Sequence, residues 1–304
     1  MIVVLWFLVL IAAIGTCLLA NARTETAIAR NIGLGAAAEA LADAGVAQAA
    51  FNLTDPDEDK RWKLDGAEHR LKLALGEVRV KVADENAKIN PNRASDALLT
   101  ALFASAGVEE ARARSLGAAV ADWVSPDMAP RALGAKLEQY QQAGLRYGPP
   151  NAPIESLDEL ELVLGMTPEI FAAVRPYLSL HTSRDEPDPQ NAPAIVQRTL
   201  VLAAREKRTV QSARASKAAE RPAPMADDPD APPAAAADDT QPAPAPPISF
   251  TATKSDMAVA AVEIIAKPIA GGLYVRHAVL RMDPANPKGY VVLDWRRGAL
   301  AATD

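Results

Sequence analysis

An uncharged apolar run opens the chain and constrains its fold more than any other feature. Residues 2–22 carry no charged side chain, and the first proline is Pro56. The run contains Leu5, Trp6 and Phe7 and has the length of roughly 20 residues that a helix needs to cross a bilayer. It continues without a turn signal into residues 23–51, where apolar residues recur at helical spacing. We therefore predict one helix of about 50 residues, or about 75 Å, whose first part is a membrane anchor.

A cleaved secretory signal and a buried core helix are the alternatives for this run. A secretory signal has a short apolar core of about 7–15 residues and a small-residue cleavage site, whereas this run is longer and no cleavage motif separates it from Arg23. A helix in a soluble protein usually keeps a polar face, and residues 2–22 have none. We favour the anchor. Its orientation is not set, because Arg23 and Arg30 share the following segment with Glu25.

Four small residues form a stripe on the second half of the predicted helix. Ala38, Ala42, Gly45 and Ala49 recur at spacings of three or four, which places them on one face. Small side chains allow another helix to approach closely. We predict that this stripe binds a partner protein.

Composition limits the function of the rest of the chain. The 304 residues are enough for one or two domains beyond the anchor. The net charge of −6 and the pI of about 5.3 argue against a general polyanion binder. The single cysteine, Cys17, lies in the apolar run, so the remainder cannot form disulfides.

Strand patterns stand before and after a helical block. Residues 70–75 and 77–82 alternate apolar and polar and predict an antiparallel hairpin. Between 94 and 180 we predict five short helices, with Ser95 capping the first and a Ser156–Glu159 capping box opening the fourth. The helices are predicted at 97–106, 109–122, 133–142, 157–165 and 168–177. Four closing strands are predicted at 248–253, 258–266, 273–282 and 290–295, which implies a sheet interrupted by a helical insertion.

The tract 222–247 consists largely of Pro, Ala and Asp. Such a composition cannot bury a core and predicts an extended linker.

A search for catalytic chemistry finds none of the familiar arrangements. His69, His181 and His277 are far apart in sequence, and no metal-spacing, nucleophile or phosphate-loop motif occurs. We therefore predict no enzyme activity. Asp122 and Asp127 flank turn residues, as carboxylates do in loop calcium sites. They are our candidate metal ligands, with calcium as the cofactor; exposed loop acids at a helix end are the ordinary alternative.

A set of ordered motifs is similar to one known family. The motifs are Ala22-Arg-Thr-Glu25, residues 40–46, Asp84-Glu-Asn-Ala-Lys-Ile-Asn-Pro-Asn92, Ala121-Asp-Trp123, residues 147–153, Leu157-Asp-Glu-Leu160, residues 163–167, Arg175-Pro-Tyr177 and Val292-Leu-Asp-Trp-Arg296. In this order, with Leu5-Trp6 in the apolar run, they resemble the type II secretion system protein K family, the large minor pseudopilin. The resemblance covers nearly the whole chain.

The resemblance implies an α+β, pilin-like fold: a long N-terminal helix on a small antiparallel sheet, with a helix-hairpin-helix or SAM-like helical domain inserted into the sheet. Its implied domains are an anchor (1–22), helix and first strands (23–93), helical insertion (94–221), linker (222–247) and closing strands (248–304). It implies a single-pass inner-membrane protein with a periplasmic body, which supports secretion as part of the pseudopilus tip. The implied partners are minor pseudopilins I and J and other pseudopilus subunits, with no nucleic acid.

Three details of the sequence bear on that resemblance. Most pseudopilins carry a glutamate near the start of the mature helix, and this family lacks it, as do residues 2–22. A subunit without that acid needs no subunit ahead of it, which suits a tip. The family also has a short basic leader ending in glycine, whereas this sequence starts inside the run; the resemblance implies a start codon placed too far downstream or a missing leader. Ser125 stands where related sequences carry another acid, which argues against the calcium site.

A DNA-binding function is the rival interpretation. Residues 89–102 resemble the opening of helix-hairpin-helix modules, whose hairpin amides bind phosphate. Here the corresponding turn ends in Glu109-Glu110, and two acids at that place are unfavourable for phosphate.

Overall fold

The computed structural model describes residues 1–219 and 257–298, without the side chains of 17–21, 210 and 213–219. The chain divides into two compact units, which are described separately: Met1–Glu85 with Ala258–Asp304, and Asn86–Met257. The first is called here the sheet unit and the second the helical unit. The predicted linker 222–247 and the predicted strand 248–253 lie outside the described residues.

The sheet unit combines one long helix with an antiparallel sheet. Helix α1 spans Ile2–Leu53, so the apolar run and the following amphipathic segment form one continuous helix, as predicted. The five strands are neighbours in the order β1-β2-β3-β4-β5, and every pair is antiparallel. They span Asp65–Leu73, Gly76–Asp84, Val259–Pro268, Tyr274–Met282 and Tyr290–Arg297. The helical unit enters the sequence between β2 and β3, which confirms the predicted α+β fold with a helical insertion.

The core of the sheet unit lies between α1 and the middle strands. Strand β2 buries every second residue, Val78, Val80 and Val82, because alternate side chains point to one face. Ile264 of β3 joins the same cluster. The helix contributes Ala38, Leu41, Ala42, Val46, Ala49, Ala50 and Leu53 to it.

Gly45 sets the distance between α1 and the sheet. A Cβ atom built on it would lie 2.8 Å from Val78 Cγ1 and 3.2 Å from Ile264 Cγ2. Any side chain here would push the helix off the sheet. Glycine is therefore required by close packing within this chain.

In the described residues, the helical unit packs helices of 6 to 26 residues around one core. Its helices are α2 (Asp96–Ser105), α3 (Glu110–Val124), α4 (Leu137–Gln142), α5 (Pro168–Val174) and α6 (Ala194–Ala219), with 3₁₀ helices at Leu157–Leu162 and Arg175–Tyr177. Tyr140 is fully buried in this core, and its hydroxyl accepts a 2.9 Å hydrogen bond from the Leu164 N–H. Burial raises the pKa of the Tyr140 phenol to about 12.

Capping residues and apolar periodicity in the sequence predicted most of these helices correctly. Ser95 accepts from the Leu98 N–H as the cap of α2, and the Ser156–Glu159 capping box is formed. The first strand, predicted at 70–75, spans Asp65–Leu73, and two predicted helix boundaries are wrong as well. The helix predicted from 133 begins at Leu137, because Leu133 has a left-handed φ of 66° that no helix accommodates. The helix predicted over 157–165 is a 3₁₀ helix that ends at Leu162.

Among the described residues, no helix has a stretch that is both long and apolar enough to cross a membrane.

Candidate functional sites

The predicted partner-binding stripe lies inside the sheet unit. Ala38 is 4% exposed, and Ala42 and Ala49 are fully buried. All three belong to the core cluster between α1 and the sheet, and Gly45 touches β2 and β3. The small residues thus serve the close approach of the chain's own helix and sheet, and this face of α1 is covered.

The opposite face of α1 is exposed and apolar. Ile32 and Phe51 are 67% and 66% exposed, and Ala36, Ala40 and Ala47 lie exposed between them. Their spacings of four and seven place them on one side of the helix. We call these five residues the outer face of α1. It is the face of this helix that is open to another protein.

The start of α1 makes no packed core. Leu5, Trp6 and Phe7, the predicted anchor residues, are 67%, 70% and 63% exposed. Large apolar side chains in water are unfavourable at roughly 25 cal/mol per Å². Such a surface is suited to an apolar surrounding.

One buried arginine joins α1 to strand β4. The Arg276 guanidinium donates to Asp43 Oδ1 at 3.0 Å from Nε and to Glu39 Oε1 at 2.7 Å from Nη2. The Tyr274 hydroxyl also donates to Glu39 Oε1, at 3.1 Å. The guanidinium carbon lies 4.9 Å from the Trp295 ring centroid, within cation–π range. The hydrogen bond from Arg276, followed by that from Tyr274, holds the pKa of the Glu39 carboxyl below its usual value.

Asp122, the first predicted metal ligand, lies at the end of α3 and is 1% exposed. Both its carboxylate oxygens accept hydrogen bonds from Arg131: Oδ2 from the backbone N–H at 3.0 Å and Oδ1 from Nη1 at 3.2 Å. Gly134 packs against the same carboxylate, and a Cβ atom there would lie 2.0 Å from Oδ2. The carboxylate of Asp122 is therefore held by protein donors.

Asp127, the second predicted ligand, bonds to its own loop. Its Oδ2 accepts from the Ser125 hydroxyl at 3.0 Å, and its backbone N–H donates to Ser125 Oγ at 3.2 Å. Asp122 thus lies in the last turn of α3 and Asp127 in the loop that follows, each with a protein donor. Among residues 1–219 and 257–298, no three His, Cys, Asp or Glu side chains are grouped so that they could hold a metal ion.

A buried lysine lies in the same loop. The Lys136 side chain donates from Nζ to Asp122 O at 2.6 Å, Ser125 O at 2.9 Å and Asn151 Oδ1 at 2.6 Å. Lys136 is only 5% exposed. Burial lowers the pKa of its ammonium, against the opposing effect of the Asp122 charge. We call these three oxygens the Lys136 cradle.

The turn that would bind phosphate in a DNA-binding module already holds a carboxylate. Glu109 caps α3, and its two oxygens accept from the N–H groups of Ala111 and Arg112 at 3.0 and 3.1 Å. These two backbone donors hold the pKa of the Glu109 carboxyl below its usual value. A negative side chain thus lies on the amides that a phosphate would need.

Sequence reasoning missed both buried cations. Arg276 stands at an inward position of an alternating strand, among Tyr274, Ala278 and Leu280, and a charge at such a position signals a buried partner. Glu39 and Asp43 lie four residues apart on one helix and could have been recognised as the acidic partners of that charge. Lys136 has no comparable pattern, because its acceptors come from the ends of other segments.

The fold defines a class: a pilin-like α+β protein with a helical unit inserted into its sheet. Residues 49–183 match the sequence model of the family type II secretion system (T2SS), protein K. Over these residues the match confirms the resemblance inferred from the sequence motifs.

Two relatives extend the comparison. The type II secretion system protein K of Klebsiella pneumoniae is 30% identical over 132 residues, which are 39% of this chain. The chain spans only 40% of the length of that relative. A chain in the crystal structure of the GspK-GspI-GspJ complex from the enterotoxigenic Escherichia coli type 2 secretion system has a TM-score of 0.55 at 16% identity, covering 92% of this chain and 99% of that one. At that identity the likeness establishes the fold alone.

Proposed function

We propose that this protein is a minor pseudopilin of the type II secretion system, a subunit of the pseudopilus tip that supports secretion across the outer membrane. The observation that carries the proposal is the match of residues 49–183 to the protein K family. This segment includes the end of α1, the first hairpin and most of the helical unit. The proposal assigns a structural role and no catalytic step.

The proposed location is the inner membrane, with a single span and the body in the periplasm. The uncharged sequence of residues 2–22 supports an anchor there. The exposure of Leu5, Trp6 and Phe7 on a continuous helix supports it further. The absence of an acid from this run suits a first subunit, because an unpaired carboxylate in hydrocarbon costs about 2.5–3.5 kcal/mol.

The proposed partners are the I- and J-type minor pseudopilins, with other pseudopilus subunits below them. The structural relative is a chain from a complex of GspK with GspI and GspJ. We assign the contact to the outer face of α1, which is apolar and exposed. The stripe of Ala38, Ala42, Gly45 and Ala49 contributes indirectly, by holding α1 against its own sheet.

We also propose, from composition alone, that the tract 222–247 is a spacer between the helical insertion and the closing strands. Its five aspartates and lack of apolar periodicity support this role.

The partner contact can be tested by co-purification. The full chain, extracted in detergent, is mixed with the I- and J-type pseudopilins of the same bacterium. We expect a ternary complex, and we expect Ala40→Arg with Ala47→Arg to abolish it, because two guanidinium groups would be buried in an apolar helix contact. Leu75→Arg is the matched control: it adds a charge at an exposed site on the β1–β2 turn and should leave the complex intact.

Circular dichroism of each variant checks that it has the helix content of the unaltered protein. An intact complex with the doubly charged α1 face would refute the assigned surface. No complex with the unaltered chain would refute the proposed function itself.

A further inference from the structure

The Lys136 cradle has the geometry of a cation site. Three oxygen atoms surround one nitrogen at 2.6–2.9 Å, and the nitrogen is buried. An ammonium group has three N–H donors and no acceptor. Three donors meet three acceptors here, so the charged form satisfies every contact. A neutral amine would turn its lone pair towards one of the oxygens.

The cradle lies at the C-terminus of α3. The Asp122 carbonyl belongs to the last turn of that helix, and Ser125 is its C-cap. Carbonyls at a helix C-terminus lack intrahelical partners and carry a partial negative charge. A positive charge placed there satisfies them and is favourable for the helix dipole.

The third oxygen comes from a distant loop. Asn151 has a left-handed φ of 55°, a conformation that asparagine tolerates better than most residues. Through its Oδ1 atom, Lys136 connects the end of α3 to residue 151. One ammonium thus joins the end of α3 to the loop of Asn151 and to its own segment at residue 136, as a structural metal ion joins its ligands.

The two aspartates of this loop do not fit a calcium ion. Calcium takes six to eight oxygen ligands, with carboxylates prominent among them. Both oxygens of Asp122 are engaged by Arg131, and Asp127 bonds to Ser125. A divalent ion in the cradle would also have to displace a lysine that is already in place.

We propose that the Lys136 ammonium is the resident cation of this loop and that the helical unit is held together there without calcium. Asp122 and Asp127 then act as structural residues: Asp122 fixes Arg131, and Asp127 fixes Ser125. The inference is independent of the proposed secretion function, since it concerns the stability of one unit.

Hydrogen exchange measured by mass spectrometry tests the proposal on the full chain in detergent. In the unaltered protein, we expect exchange in residues 119–136 to be the same in excess calcium chloride and in excess EGTA. In Lys136→Met, which keeps the apolar stem and removes the charge, we expect exchange there to be about tenfold faster or more, because hydrogen bonds to charged groups are lost. Peptides from the sheet unit should not change.

Lys207→Met is the control, since Lys207 forms an exposed ion pair with Glu186 in the same unit; it should leave residues 119–136 unchanged. Lys136→Arg keeps the charge and is the second variant in case Lys136→Met fails to fold. Its exchange rate in residues 119–136 should lie between those of the unaltered chain and of Lys136→Met. Calcium-dependent protection of residues 119–136 in the unaltered chain would overturn the proposal. So would Lys136→Met and Lys136→Arg both exchanging at the unaltered rate.

Discussion

In the residues that the structure describes, each unit of this protein buries one cation, but the two cations have different partners. Arg276 and Lys136 are each 5% exposed. Arg276 of the sheet unit pairs with the carboxylates of Glu39 and Asp43, whose side chains are 51% and 42% exposed. Lys136 of the helical unit binds three neutral oxygens, two of them backbone carbonyls at the end of α3.

The difference follows from what each unit must join. Arg276 connects α1 to strand β4, more than two hundred residues later in sequence. Its planar fork suits two carboxylates at once. Lys136 lies 11 to 15 residues from its acceptors and closes an irregular loop. A compact ammonium suits scattered carbonyls, and its contacts do not depend on the ionisation of a partner acid.

Removal of the arginine should have the largest effect in this comparison. We expect Arg276→Met to lower the free energy of unfolding of the sheet unit by about 2 kcal/mol, the loss of hydrogen bonds to charged groups. The loss stays below the 3–5 kcal/mol typical of a broken buried pair, because Glu39 and Asp43 can return to water. Denaturant unfolding measures it, with the exposed Arg296→Met as control. A loss below 0.5 kcal/mol, within the usual range of surface substitutions, would show that the hydrogen bonds of Arg276 to Glu39 and Asp43 are incidental to stability.

Crowding at the loop of the helical unit should have a somewhat smaller effect. In Gly134→Ala the new methyl group would overlap the Asp122 carboxylate. Overpacking of this kind typically costs about 1–3 kcal/mol, reduced here to the extent that the loop shifts. Hydrogen exchange should quicken in residues 119–136 and not in β2 or β3. Gly35→Ala, which meets open space on α1, is the control, and it should leave that loop unchanged. Equal exchange in residues 119–136 of both variants would contradict the close packing of Gly134 against Asp122.

The effect of acid on stability should be the smallest of the three, and it should distinguish Arg276, whose partners are carboxylates, from Lys136, whose partners are neutral oxygens. The pKa of Glu39 is lowered in the folded protein, first by the hydrogen bond from Arg276. Its contribution is therefore complete above the unfolded pKa and is lost as pH falls through the folded value. The stability difference between the unaltered chain and Glu39→Gln should shrink from about pH 6 to about pH 3. A difference independent of pH would mean that the charge of Glu39 contributes nothing to stability. The three hydrogen bonds of Lys136, in contrast, are to neutral oxygens.

Local features of the sequence predicted much of the fold. The length of α1, the first hairpin and the Ser156–Glu159 capping box follow from periodicity and caps, which depend on neighbouring residues only. The start of α4 could not be predicted this way. It depends on the left-handed Leu133 and on Gly134 packed against Asp122, a contact between distant segments.

The candidate sites show the same limit more sharply. Small residues at helical spacing indicate close approach, but they do not tell whether another protein or the chain's own sheet approaches. Gly45, between Val78 and Ile264, shows that here it is the sheet. Asp127 does follow Asp122 just beyond the end of α3. No sequence pattern, however, could place Arg131 on the Asp122 carboxylate or Lys136 on the carbonyls of Asp122 and Ser125.

The central claim is that this protein is a pseudopilin and that the outer face of α1 binds minor pseudopilins. Site-specific photocrosslinking along α1 tests it most directly. A photoreactive amino acid replaces Ala40 or Ala47 on the outer face, and Lys72 on the exposed side of β1 serves as the control. In cells that carry the secretion system, we expect crosslinks from both outer-face positions to the I- or J-type pseudopilin and none from Lys72. Crosslinks from Lys72 alone, or no crosslink to either pseudopilin from Ala40 and Ala47, would contradict the account.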